Sequence, residues 1–186
     1  MDLLWSYETY PEAFSDSINV PESENGTKDI LDEIKVGLKF IRNMQASEGG
    51  FYQRLNGTGT QSFPTSYFEI ESAEPTAVTA DAYIVFKDID STYANACLTA
   101  AQNGWNYLDG RSQVNCTNGF VKDDNDSDNR LNAGAALYRA TGNSTYDNSV
   151  KNYARKALNY ILGINPMQES YILGYGENAL TDVYSG

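Results

Sequence analysis

Apolar residues recur along this chain at helical spacing, and polar, aromatic-rich stretches separate the recurrences. From Asp29 to Gln45, residues Ile30, Ile34, Leu38 and Ile41 share one face at period 3.6. Asn25-Gly26-Thr27 precedes that run as a turn with a candidate N-cap, Asp29, Asp32 and Glu33 sit near the positive end of its dipole, and Gly49-Gly50 stops it. Ser91 to Leu108 repeats the pattern through Ala94, Cys97, Ala101, Trp105 and Leu108, with Ser91 or Thr92 as cap. Asn129 to Ala140 places Leu131, Ala135 and Tyr138 on one side and ends at Gly142; Tyr146 to Leu162 offers Val150, Tyr153, Ala157 and Ile161 before Gly163 and Pro166. Weaker patterns predict helices over Leu3 to Phe14 (Leu3, Tyr7, Tyr10, Phe14, interrupted by Pro11) and Pro75 to Ile89 (Ala77, Ala80, Ile84). One strand is predicted, Gly50 to Leu55, ended by Asn56-Gly57.

Six helices joined by long polar loops predict a mainly α chain of stacked helical hairpins, with small residues on the faces allowing the close approach of a bundle or α/α toroid. The 186 residues make one ordinary domain, and no charge run or Pro/Gly linker divides residues 1–186. No apolar run is long enough to span a bilayer, and Met1 to Ser6 lacks the basic and apolar regions of a signal peptide.

Composition narrows the chemistry. The chain has 13 basic and 25 acidic residues, net −12, and its field repels phosphate backbones and anionic lipid heads; neither nucleic acid nor a membrane surface is an expected partner. It contains no histidine, so imidazole-dependent triads and histidine-bound zinc are excluded. Cys97 and Cys116 allow one bridge or two free thiols, but no disulfide framework. Five Asn-x-Ser/Thr sequences, at Asn25, Asn56, Asn115, Asn125 and Asn143, would accept glycans in a secretory pathway.

Carboxylates are the abundant acid–base groups that remain. Glycoside hydrolysis needs one protonated and one ionised carboxyl, with aromatic rings to stack on sugar and amides to bond its hydroxyls. Acidic, tyrosine-rich surfaces also occur without that function. Asp123 to Asp128 gathers four carboxylates in six residues. Asp124, Asp126 and Asp128 match the first ligand positions of a calcium loop, but Asn129 replaces its glycine and Ala135 its bidentate glutamate, so calcium and a solvated turn capping the next helix both remain open. From Tyr160 to Asn178 a helix ends, Asn165-Pro166 turns the chain, and Gly174 and Gly176 bracket Tyr175. That layout suits either a presented loop or a packing turn.

Taken in order, these segments resemble glycoside hydrolase family 9, the inverting endo-β-1,4-glucanases built on an (α/α)6 barrel. Leu3-Leu4-Trp5 with Pro11-Glu12-Ala13-Phe14 is similar to the family's LLW…PEAF stretch, and Pro21 to Glu33 to its PESGNGxPDILDE segment, with Lys28 in place of the usual proline. Gly49 to Tyr52, Thr79-Ala80-Asp81-Ala82 and the helix through Trp105 continue the match. Asp126-Ser127-Asp128 leading to Ala135 through Gly142 resembles DSDE…AAELYRATG, and Tyr160 to Asn178 resembles YxLGxNPxxxSYxxGxGxN.

The resemblance implies a partial (α/α)6 barrel, a β-1,4-glucan or cello-oligosaccharide as ligand, an extracellular setting, and Tyr171, Tyr175 and Asn178 as substrate-binding residues. It assigns no catalytic residue here. The family's Asp-x-x-Asp motif lies upstream of the LLW helix, which this chain enters at Met1-Asp2, and the family's His-His-Arg-like tail is replaced by Tyr184-Ser185-Gly186. Two family segments also run directly together between Asn148 and Tyr153, as though a stretch of barrel were missing. Low or no hydrolysis by this chain alone, and self-association through exposed apolar helix faces, are the expected consequences. A glucan-binding remnant and a fragment without its own function are the alternatives.

Overall fold

The computed structural model describes residues 1–52, 56–57, 62–63, 72–109, 111, 127–162 and 168. Among them run six α-helices: α1 (Asp2–Thr9), α2 (Asp29–Asn43), α3 (Ala73–Phe86), α4 (Ser91–Asp109), α5 (Ser127–Thr141) and α6 (Ser144–Ile161). A single 3₁₀ turn, Pro11–Ala13, follows α1 where Pro11 breaks the predicted first helix. The helices pair as three hairpins, α1/α2, α3/α4 and α5/α6, with α3 flanked by both α1 and α5. This is the partial α/α toroid expected from the sequence, with α1, α3 and α5 side by side.

Short turns close two hairpins at one end. Lys87 to Asp90 joins α3 to α4, and Gly142-Asn143 joins α5 to α6. The C-terminal ends of α2, α4 and α6 and the N-terminal ends of α3 and α5 lie at the other end, while Tyr10 to Lys28 joins α1 to α2 at the end of the two short turns. Among the described residues no helix is long and apolar enough to cross a membrane.

Burial follows the helical periodicity closely in the middle hairpin. All five stripe residues of α4 (Ala94, Cys97, Ala101, Trp105 and Leu108) are buried. Helix α3 buries residues all round, because helices pack on both sides of it. Two cores result. Leu4, Ile34, Leu38, Phe86 and Cys97 join the first hairpin to the second. Ala77, Ala101, Trp105, Leu137 and Tyr146 join the second to the third, with the Trp105 and Tyr146 rings edge-to-face at 5.6 Å.

Cys97 is a buried free thiol, pushed up to about 11 by that burial. Cys116 lies outside the described residues.

Several local expectations are corrected. Helix α5 does not bury Leu131, Ala135 and Tyr138; it buries Ala133, Gly134, Ala136 and Leu137, while Tyr138 stays 43% exposed. In α1 the buried residue is Leu4, and Leu3 and Tyr10 are exposed. Of the strand expected over Gly50 to Leu55, Phe51 forms an isolated bridge with Gln45, and residues 53–55 lie outside the described residues. Asn56-Gly57, expected to end it, instead pairs antiparallel with Ser62-Phe63.

Caps differ by one residue from those read in the sequence. Asp90, not Ser91 or Thr92, caps α4 by accepting the Tyr93 N–H at 3.0 Å. Lys28 rather than Thr27 precedes α2. Asn143 caps α6 through the Thr145 N–H at 3.0 Å.

Candidate functional site at the loop end of the hairpins

The turn from Ala46 to Gly50 is locked before it shapes anything else. Its ends close through Ala46 N–H to Gly50 C=O at 2.8 Å and Tyr52 N–H to Met44 C=O at 2.9 Å. The Gln45 amide then staples it to α4, donating to the Gly49 and Ala100 carbonyls at 2.8 Å each. Gly49 has φ +97°, and a Cβ there would lie 2.4 Å from the Asn103 carbonyl oxygen, so only glycine fits. Phe51 is thereby driven into the core, where Ser72 Oγ accepts its N–H at 3.0 Å.

Beside this turn lies an apolar cleft of about 190 Å³ lined by Phe40, Ile41, Met44, Phe51, Tyr52, Glu74, Pro75 and Val78. Three aromatic side chains and one exposed carboxylate meet there. Aromatic faces and a few convergent polar groups are the makings of a carbohydrate subsite. Nearby, the Arg111 guanidinium sits 4.0 Å over the Tyr107 ring. Arg130 is buried at the start of α5 and donates to the Leu108 and Arg111 carbonyls, tying the C-terminus of α4 to the N-terminal end of α5.

A second cluster lies toward the short-turn end. Asp81 of α3 is 2% exposed and accepts from Trp5 Nε1 of α1 at 3.2 Å and from Arg139 Nη1 of α5 at 3.1 Å. Arg139 Nη2 also reaches Glu8 Oε1 at 2.5 Å. Burial holds the Asp81 carboxyl above its usual range, opposed by the Arg139 charge and the indole bond. The two carboxylates share one guanidinium, which ties α1, α3 and α5 together.

The residues singled out in the sequence fare unequally. Tyr171, Tyr175 and Asn178 lie outside the described residues, as do Asp124 and Asp126. Asp128 is described: it is exposed, in the first turn of α5 at the loop end. Among the described residues no three Asp, Glu or Cys side chains assemble a metal site. The sequence reading missed the cleft, because Phe40, Met44 and Glu74 belong to two helices and meet only on folding. It also missed the Asp81 cluster, although Trp5, Asp81 and Arg139 each fall within a segment quoted for the family resemblance.

Helical hairpins stacked with their first helices side by side define an α/α toroid. The profile of glycosyl hydrolase family 9 matches residues 1–157 and 145–186, and the chain belongs to that family. The two matched segments meet within α6, around the position where the sequence suggested missing barrel.

The chain is 26% identical over 158 residues to endoglucanase D of Acetivibrio thermocellus, covering 74% of this chain and 25% of that protein. To the cellodextrinase of Butyrivibrio fibrisolvens it is 27% identical over 162 residues, 77% of this chain and 28% of the relative. It therefore spans about a quarter of the length of these relatives. Among solved structures, a metagenome-derived family 9 endoglucanase superposes with a TM-score of 0.70 at 30% identity, over 83% of this chain and 32% of that one. The cellulase Cel9M of C. cellulolyticum, in complex with cellobiose, shares the fold at 17% identity and a TM-score of 0.65, over 95% of this chain and 66% of its own.

Proposed function

We propose that this chain is a β-1,4-glucan-binding portion of a family 9 endoglucanase fold, retaining sugar recognition at the loop end and hydrolysing glucan weakly or not at all by itself. The observation that carries the reading is the family match over both segments of the chain. Tyr171, Tyr175 and Asn178 are the proposed sugar contacts in the segment after α6. Asp124, Asp126 and Asp128 are proposed to bind calcium only as a support for the loop before α5. The relatives' activities suggest an extracellular glucan as the ligand.

Weak or absent turnover follows from the carboxylates. An inverting glycosidase sets an acid and a base roughly 6.5–9.5 Å apart across the bond. The family pattern assigns neither to a residue of this chain, and loss of one such partner already costs orders of magnitude in rate.

Isothermal titration of the purified chain with a cello-oligosaccharide, with reducing-sugar release assayed in the same sample, tests this. Binding without appreciable turnover, weakened in Tyr175→Ala, is the expected result. Robust turnover would reveal a carboxylate pair within this chain and overturn the catalytic half of the reading; absence of binding would overturn the whole.

A further inference from the structure

We propose that the cleft between α2 and α4 binds a uronate, a sugar ring carrying one carboxylate. The cleft encloses about 490 Å³. Lys39, Arg42 and Asn43, at spacings of three and four residues, form one wall from the C-terminal half of α2. Ala96, Thr99, Ala100 and Asn103, at the same helical spacing, form the other wall from α4, and Gln45 lines the cleft as well. Phe40, Ile41 and Met44, which line the apolar cleft described above, occupy the opposite side of α2, so the two sites are separate.

The two walls differ in charge. Helix α2 carries Asp29, Asp32 and Glu33 in its first turns and Lys35, Lys39 and Arg42 after them. Lys35 pairs with Asp90 at 3.0 Å. Among the described residues no carboxylate pairs with Lys39 or Arg42. The facing helix cannot supply one, because α4 holds no charged residue before Asp109 at its last position. Arg42 is nonetheless held in place: its guanidinium lies 5.4 Å from the centre of the Tyr93 ring of α4. In a chain of net charge −12, two cations therefore face a neutral polar wall.

The rest of the lining forms hydrogen bonds. Gln45 spends both amide hydrogens on the Gly49 and Ala100 carbonyls at 2.8 Å each, which fixes its Oε1 as an acceptor. Thr99 Oγ1 donates to the Asn95 carbonyl at 2.9 Å and likewise keeps its acceptor capacity. The amides of Asn43 and Asn103 donate and accept, and Ala96 and Ala100 add no side chain long enough to fill the space. Fixed acceptors and two-way amides suit sugar hydroxyls, and a pair of cations suits one carboxylate. A neutral sugar would leave both cations unused, and a polyanion would be repelled by the field of the whole chain. A sugar with a single carboxylate uses every group.

Isothermal titration of the full chain with methyl glucuronide tests the site, with methyl glucoside as the neutral counterpart and acetate as the bare carboxylate. Methyl glucuronide is expected to bind with a dissociation constant of about 1 mM, in keeping with so small a ligand, and more weakly as salt is raised. Lys39→Gln/Arg42→Gln should weaken it about tenfold or more, with circular dichroism checking the helices. Asn103→Ala, which leaves both charges in place, should weaken it as well. Saturating cellotetraose should not displace it, so the outcome is separate from that of glucan binding.

Absence of saturable binding would overturn the proposal, as would acetate or methyl glucoside binding as tightly as methyl glucuronide. So would an unchanged affinity in the charge variant, or displacement by cellotetraose, which would put the glucuronide in a glucan site instead.

Discussion

At the scale of single residues, the most consequential side chain is Asp81. It is buried on α3 and held by Trp5 from one neighbouring helix and Arg139 from the other. Its folded-state pKa is raised, chiefly by burial. The native state therefore binds this proton more tightly than the unfolded chain, and the associated stability is present below the unfolded value and lost as pH rises through the folded one. Asp81→Asn preserves the shape and an acceptor but cannot titrate. The stability advantage of the wild type over Asp81→Asn is expected to be larger near pH 4 than at pH 7, read from urea midpoints of both proteins. A difference that shrinks on acidification would show that the Arg139 charge outweighs burial. None of this was legible in the sequence. Trp5 and Asp81 are 76 residues apart and Asp81 and Arg139 are 58 apart, and no local pattern marks residues that meet only when three helices lie side by side.

At the scale of elements, the sequence was most legible where neighbours from the same chain surround a helix. The five-residue stripe of α4 is buried as read, α2 to α6 form within three residues of their expected ends, and α1 stops at Thr9 before Pro11. Legibility failed at α5, whose periodic stripe through Tyr138 is open. What the pattern could not show is how closely α3 and α4 approach. A Cβ on Gly104 would stand 2.1 Å from Thr76 Oγ1 and 2.9 Å from the Phe51 ring. Thr76 cannot swing away cheaply, since its hydroxyl donates to the Ser72 carbonyl at 2.7 Å and is fully buried. Gly104→Ala is expected to cost about 1–3 kcal/mol by overpacking. At Gly134 the nearest atoms are the ends of Val150 and Trp105 at 3.0 and 3.1 Å, which can yield by a few tenths of an ångström. Gly134→Ala should therefore cost less, and denaturant unfolding of the two variants side by side measures the contrast.

At the scale of the whole molecule, the same asymmetry governs stability. Two cores hold three hairpins together, and both lie against the middle one. Each outer hairpin buries one apolar face against that centre, Leu4, Ile34 and Leu38 from the first and Ala133, Leu137 and Tyr146 from the third, so the middle hairpin is the element on which the packing of the whole depends.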